Sequence, residues 1–400
     1  MDIAGPLFGG VDFIMREAAL FAATGFLILG LGDFAVDFLW VAHRARRLGE
    51  PAPALAGLAP PDRPGRLAVF LPAWDESAVI GDMLRGAVSA WGEGDWRLYV
   101  GTYANDPATI AEAAAVAAIE PRVRIVTGGN PGPTTKADCL NRLWISLLAD
   151  EAAEGLRAKA IILHDAEDVV HPAELRLFDS LVERFDLVQL PVLPLIHPDS
   201  RWLGGHYADE FAESGARRAF VRIAGDDGEI VAIREYFPGT LDACVRQKAR
   251  WMTGIALSGW DRLGWSGGLA ERWMRLRDRQ SLLAAILLCA AYLALASWLV
   301  LKAWQGAGGE GPAPLPAFLS AVVTANLALL VWRLSVRAGF TAASYGWSEG
   351  LRAVPRTAIG NLVAILAAAS ALSRYRALRR GGRPRWDKTA HIFPGRPALQ

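Results

Sequence analysis

Cysteine is scarce: three in 400 residues, at 139, 244 and 289, without a CxxC pair, which excludes a disulfide framework and a thiolate zinc site. The six histidines show no HExxH or comparable ligand spacing. An excess of charge of one sign is also missing, with 42 Lys and Arg against 41 Asp and Glu, so no nucleic-acid partner is expected. No segment repeats. What is plentiful is apolar residues, 52% of the chain, too many and too unevenly placed for a simple soluble enzyme.

Residues 18–41, 281–304 and 315–336 each approach the ~20 apolar residues that a bilayer core requires, and a shorter run, 357–372, carries Asn361. The first run is followed by His43-Arg-Ala-Arg-Arg47, which predicts that residues 43–280 are cytoplasmic. The basic tail, with Arg374, Arg376, Arg379, Arg380, Arg383, Arg385 and Lys388, should lie on that same side next to anionic lipid. Two spans after residue 280 satisfy this placement and three do not, so 357–372 is expected to be an interfacial helix or short span. Asp33 and Asp37, four apart on one helix face, are expected to be satisfied by neighbouring helices.

Between the apolar runs the pattern changes to alternating strands and helices, predicting an α/β, Rossmann-like sheet. Strands are expected at 66–74, 96–103, 123–127, 159–163 and 187–193, and helices at 77–91 and 134–150. The predicted organisation is a transmembrane helix (1–48), a Pro- and Ala-rich linker (49–65), a cytoplasmic domain (66–280), two transmembrane helices (281–337) and an interfacial helix with a basic tail (338–400). Polar groups cluster just past the strand ends: Asp75 and Glu76, Asn105 and Asp106, the 128–136 loop, and Asp165, Glu167 and Asp168. Open α/β sheets bind ligands there. Three carboxylates after the apolar strand Ile161-Ile-Leu-His164 suit a divalent cation bridging phosphate oxygens. Taken alone, they serve equally as a solvated turn capping the next helix.

Pro72-Ala-Trp-Asp-Glu76, Asn105-Asp106, Thr135-Lys-Ala-Asp-Cys-Leu-Asn141, His164-Asp-Ala-Glu-Asp168, Gln189-Leu-Pro191 and Gln247-Lys-Ala-Arg-Trp251 occur in the order seen in processive, membrane-embedded family 2 glycosyltransferases, which the chain resembles. It is most similar to the bacterial, bacteriophage adsorption protein B-like branch, whose pattern also matches Arg234-Glu-Tyr-Phe-Pro238 and Arg385-Trp-Asp-Lys-Thr-Ala-His391. The resemblance implies a GT-A fold. It assigns Ala73, Glu76, Asp106, Lys136 and Asp165 to the nucleotide, with Asp106 at the uracil ring. Asp165 and Glu167 match the ends of a DxD motif, with Glu167 and Asp168 sharing a Mg²⁺ or Mn²⁺ ion. Gln247, Arg250 and Trp251 would lie beside the pyrophosphate and acceptor sugar. Their i, i+3, i+4 spacing sets them on one helix face, and arginine suits bidentate phosphate binding.

The resemblance fails at one place. Relatives carry a Thr-Glu-Asp motif whose aspartate deprotonates the acceptor hydroxyl, and this sequence has none. The matching segment is missing near Ser214, leaving Asp209 as a weak substitute base. Asp226-Asp-Gly228 reads instead as a hairpin turn between 219–224 and 229–233. The expected function is an inverting glycosyltransferase in the bacterial inner membrane, moving sugar from a UDP-sugar onto an envelope or secreted polysaccharide. An export partner fits the same expectation. Two alternatives stay open: a nucleotide-binding membrane protein impaired in catalysis, and a polyprenyl-phosphate sugar synthase.

Overall fold

Leu67, Val69 and Leu71 are buried on one side of the first strand and Ala68 and Phe70 on the other, as the two-residue period of a strand covered on both faces dictates. The computed structural model describes residues 4–46, 53–217, 222–382, 386, 388, 389 and 391–395. In chain order the elements begin with α1 (Ala4–Arg46), β1 (Leu67–Pro72), α2 (Ile80–Trp91), β2 (Trp96–Tyr103), α3 (Pro107–Ala117), β3 (Val123–Gly128), α4 (Lys136–Glu154) and β4 (Ala160–Leu163). They continue with α5 (Glu174–Leu181), β5 (Val192–Leu195), α6 (Gly205–Arg217), β6 (Ile233–Tyr236), α7 (Leu241–Trp251), α8 (Gly259–Leu263), α9 (Leu269–Gly306), α10 (Ala317–Tyr345) and α11 (Trp347–Arg379). Two units result: Met1–Leu48 with Leu241–Gly381, and Gly49–Thr240 with Gly382–Gln400. The division falls at Leu241, whereas the sequence-based boundary was residue 280, and α7 therefore belongs with the helices.

The second unit is built on a parallel sheet of order β3-β2-β1-β4. Chain direction explains its layers. From β1 to β3 the strands step one way, and α2 and α3 bury Ile80, Met83, Leu84, Ala113 and Val116 on one face, joined by Leu177 and Phe178 of α5. The next step returns to the far side of β1, and α4 covers the opposite face with Leu143 and Leu147, as right-handed crossovers require. The strand order thus reverses between β1 and β4, where such sheets open a crevice at their carboxyl ends. Strands at 187–191 are not formed; the pairing starts at Val192, where β5 runs parallel to β6. The turn at 226–228 forms as expected, with Gly225 N–H donating to Glu229 O (2.7 Å) and Gly228 at φ 80°.

The expected linker is anchored. Ala224 N–H donates to Pro53 O (2.9 Å) and Leu55 N–H to Ala224 O (2.8 Å), Leu55 is buried, and the Glu183 carboxylate accepts from the N–H groups of Asp62 and Arg63. Residues 49–52 of that linker, 219–221 of the hairpin, and Arg383 and Arg385 lie outside the described residues.

In the first unit α1, α9, α10 and α11 are each long and apolar enough to cross a membrane. Asp33 pairs with Arg277 (2.7 Å) and Arg333 (3.8 Å), and Asp37 accepts from Trp332 Nε1 (3.0 Å), so neighbouring helices do satisfy both carboxylates. The last helix is twice the length of the 357–372 run. Its extension carries Arg356, fully buried and ion-paired with Glu349, charges that a hydropathy reading counts against a helix but that neutralise each other within it.

Candidate active site

Past β1 the chain is pinned by backbone and side-chain bonds. Ala73 is buried and donates its N–H to Gly101 O (2.8 Å). Asp75 takes a left-handed backbone (φ 54°), held by its N–H on Asp106 Oδ2 (2.6 Å). Glu76 N–H donates to Thr109 Oγ1 (2.9 Å). Asp106 also caps α3, its Oδ1 accepting from Thr109 N–H (3.3 Å). One of its oxygens thus holds the loop and the other the cap. Its partner Asn105 brackets the next loop, with Nδ2 donating to Gly132 O (2.9 Å) and Oδ1 accepting from Gly132 N–H (2.7 Å).

Past β4 the three carboxylates separate into different roles. Asp165 is half exposed and ion-paired with Lys136 at the start of α4. Burial works to lower the Lys136 pKa, but Asp165, with Glu167 and Asp168 behind it, carries it above the ordinary lysine value. Asp168 is buried and turned inwards: Oδ2 meets His164 Nδ1 (2.8 Å) and accepts from Asp165 N–H (3.0 Å). Its Oδ2 thereby shapes the loop that carries Glu167. Glu167 faces Glu76 instead. Burial pushes Glu76 up to about 7, against the pull of Lys388. Burial and the charges of Asp165, Glu76 and Asp168 push Glu167 well above the carboxylate range.

Two elements that sequence reasoning left aside complete the site. One is β6: Val169 N–H donates to Arg234 O (2.7 Å) and Arg234 N–H to Val169 O (3.1 Å), which sets Glu235 next to the acidic loop. Burial and the charges of Asp168, Glu167 and Asp165 push the Glu235 carboxyl far up, with Lys136 opposing. The other is the C-terminal segment, where Lys388 Nζ lies 3.1 Å from Glu76 and His391 Nδ1 lies 3.2 Å from Glu167. Five carboxylates (Glu76, Asp165, Glu167, Asp168, Glu235) thus meet three cationic groups (Lys136, Lys388 and the buried His164). Among the described residues, Glu76, Glu167 and His391 have ligand atoms within 4.8 Å of one another, a set that fits a divalent cation in charge, donor type and spacing.

A family model described as glycosyltransferase like family 2 matches residues 64–228, which include β1 to β5 and the acidic loop. The chain carries a family 2 glycosyltransferase domain. Bacteriophage adsorption protein B of Escherichia coli strain K12 is 30% identical over 485 aligned positions, covering 98% of this chain and 64% of that protein. Bacteriophage N4 adsorption protein B of Escherichia coli O157:H7 matches equally. The chain thus spans under two thirds of these relatives' length, and the alignment is longer than the chain itself, so the relatives hold residues without counterpart here. A solved mannosyltransferase from Pyrobaculum calidifontis, in complex with GDP-Man and Mn²⁺, aligns with a TM-score of 0.44 at 16% identity, covering 85% of this chain and 99% of that one.

The glycosyltransferase domain brings together Ala73, Glu76, Lys136, Asp165 and Glu167 of the residues singled out by sequence. Gln247, Arg250 and Trp251 fall in the helical unit. There Arg250 Nη2 donates to Gln247 Oε1 (2.7 Å), confirming a shared helix face, and a π-helical stretch, Met252–Ser258, follows directly. Asp209 is buried on α6. Sequence reasoning missed Glu235 and gave His391 no role. Glu235 lies two residues after Ile233, which pairs with Val192 of β5; the register that places it was not readable from either strand alone.

Proposed function

We propose that this chain is a membrane-bound, inverting glycosyltransferase that takes sugar from a UDP-sugar and extends an envelope or secreted polysaccharide. The observation that carries the proposal is the pair of buried carboxylates, Glu76 and Glu167, facing each other where the strand order reverses. Two buried carboxylates within 4.8 Å of one another favour a cation between them or a proton on one. A bound Mg²⁺ or Mn²⁺ would neutralise the diphosphate as the bond from anomeric carbon to phosphate oxygen breaks. The chain's own groups supply the rest. Lys136 offers a second positive charge at the phosphate, and Asp165 holds that ammonium in place. His164 and Asp168 fix the loop that carries Glu167. Glu235 is the base: its carboxylate takes the proton of the acceptor hydroxyl as that oxygen attacks the anomeric carbon. By the resemblance, Gln247, Arg250 and Trp251 serve the pyrophosphate and acceptor.

Calorimetry with detergent-purified protein tests the donor site. UDP should bind in the presence of Mn²⁺ and bind at least ~10-fold more weakly without it, and Asp165→Ala should lose most of that affinity along with UDP release from a UDP-sugar, because Lys136 is no longer positioned. Metal-independent binding, or full binding by the variant, would refute the donor-site assignment. Binding without sugar transfer by the unmodified chain would favour the second reading, a nucleotide-binding protein whose missing segment near Ser214 abolished catalysis.

We further propose an orientation, with the catalytic unit and the basic tail on the cytoplasmic face of the bacterial inner membrane. Residues 382–400 belong to the same unit as the glycosyltransferase domain, so the chain between Leu241 and Gly381 crosses the bilayer an even number of times. It holds three candidate spans: α9, α10 and α11 have hydropathies of 2.3, 1.7 and 1.4. The least apolar, α11, with Glu349, Arg352 and Arg356 in its first turns, therefore lies along the interface. A single cysteine introduced as Gly395→Cys in a cysteine-free background should be unreactive towards membrane-impermeant maleimide in intact cells and reactive after lysis. Labelling of intact cells would overturn this topology.

A further inference from the structure

The helical unit encloses a cavity of about 530 Å³ between α1, α9, α10 and α11, within the size range that holds one small ligand. Its walls are mostly carbon, from Phe26, Leu29, Phe34, Leu288, Leu329 and Leu330. Charge gathers at one end, where Asp33 and Asp37 of α1 meet Arg333 and Arg337 of α10. Arg277 reaches Asp33 from α9 (2.7 Å), and Arg333 lies 3.8 Å from the other oxygen of that carboxylate. Gln280, three residues after Arg277, lines the cavity as well. These groups share one margin of the apolar runs: towards the C-terminal ends of 18–41 and 315–336, and just before 281–304. A spanning helix meets lipid headgroups at such a margin.

We propose that this cavity binds one anionic phospholipid of the adjoining leaflet, with an acyl chain between the apolar walls and the phosphodiester at Arg333, Arg337 and Gln280. The proposal requires that α1, α9 and α10 cross a bilayer and is independent of the donor-site reading. Charge identifies the headgroup. Among the cavity-lining residues and their ion-pair partners, three arginines (277, 333 and 337) face two aspartates (33 and 37), an excess of one positive charge. Uncompensated charge at membrane depth is costly, and a phosphodiester with an uncharged headgroup carries the single negative charge that cancels it. A zwitterionic lipid brings its own cation and leaves the excess in place. A phosphomonoester, at about −1.5 to −2, overshoots it. Arginine is also the side chain best shaped for phosphate oxygens. A glycan fits the cavity poorly, because buried hydroxyls need hydrogen-bond partners and the uncharged polar groups further along are bonded within the protein. Asn326 Nδ2 donates to Ala23 O (2.8 Å) and Val322 O (3.0 Å), Thr357 Oγ1 to Ala353 O (3.1 Å), and Asn361 Nδ2 to Tyr292 Oη (3.1 Å).

Native mass spectrometry of the full chain in detergent tests this, with thermal unfolding as a second readout. Dioleoylphosphatidylglycerol, dioleoylphosphatidylcholine and a polyprenyl phosphate are titrated separately. The unmodified chain should retain one phosphatidylglycerol with at least ~10-fold preference over the other two, the scale of one charge-assisted hydrogen bond, and should melt at a higher temperature with it than without. Arg337→Gln, which cancels the excess charge, should erase the preference over phosphatidylcholine. Asp37→Asn, which doubles the excess, should tighten phosphatidylglycerol and admit the polyprenyl phosphate. Ala284→Phe, which fills the cavity from α9, should remove the lipid-dependent rise in melting temperature. Damage to folding would weaken both charge variants alike, so their opposite shifts are the signature of binding at this site. Equal retention of phosphatidylcholine by the unmodified chain, stronger retention of the polyprenyl phosphate, or charge variants that shift in the same direction would each overturn the proposal. A co-purified sugar oligomer displaced by Ala284→Phe would overturn it in favour of a product path.

Discussion

Replacing His164 with leucine should destabilise the glycosyltransferase domain by ~3–5 kcal/mol, the usual cost of removing one partner from a buried ion pair. His164 is enclosed between Asp168 Oδ2 (2.8 Å) and Glu174 Oε1 (3.0 Å), and Trp91 Nε1 donates to the same Glu174 oxygen (3.0 Å). Burial alone would lower its pKa. Glu174 and Asp168 outweigh that and push it up to about 10, so at neutral pH an imidazolium separates two carboxylates. Leucine leaves them facing each other without counter-charge. Thermal unfolding should fall by roughly 6–20 °C, given ~2–4 °C per kcal/mol for a domain of this size. The pH dependence has a definite sign. A histidine whose folded pKa exceeds its unfolded value contributes fully below about 6.5, and the contribution is lost as pH rises towards about 10. The unmodified domain should therefore lose stability across that window while the variant changes much less. A variant melting within a degree or two of the parent would show that the cluster holds nothing together.

The same residues show what a sequence can and cannot disclose. Strands at 96–103 and 123–127 were legible because one short apolar run between turn signals has few alternatives. The acidic motif was also legible, since three carboxylates after such a run are conspicuous. Their division of labour was not. Asp168 and Glu167 are adjacent in sequence and chemically alike, yet one hydrogen-bonds a buried histidine and the other faces Glu76. Only the turn of the backbone after β4 decides which way each points. Asp106 shows a related ambiguity: a carboxylate at a strand end suits a ligand and a helix N-cap equally, and Pro107 with Thr109 behind it was the available sign of the cap it makes. In the helical unit, hydropathy found the apolar centres of the spans but underestimated α11, whose charges cancel locally between Glu349 and Arg356. The tail is the extreme case. Its basic residues read as a lipid contact, and nothing in 386–395 taken alone says that Lys388 and His391 return to carboxylates more than two hundred residues earlier in the chain.

Glutamine at position 235 should lower sugar transfer by roughly 10²- to 10⁴-fold, the range for loss of a positioned general base, while UDP and Mn²⁺ binding stay as in the parent. The expectation follows from placement and charge together. The bridge between Val169 and Arg234 holds β6 against the acidic loop, so Glu235 adjoins the group proposed to bind the donor without belonging to the Glu76, Glu167 and His391 set. Burial and three neighbouring carboxylates raise its pKa far above that of a free glutamate, making its anion a stronger proton acceptor. A cation entering between Glu76 and Glu167 would offset part of that repulsion and draw the pKa back down, so the base becomes ionised as the donor site fills. The rate should then rise with pH along a single limb that Glu235→Gln removes. Asp209→Asn provides the contrast, because Asp209 is buried on α6 and should affect folding more than the shape of that profile. If the asparagine variant loses the limb and the glutamine variant keeps it, the proton goes to α6, and β6 serves only to brace the acidic loop.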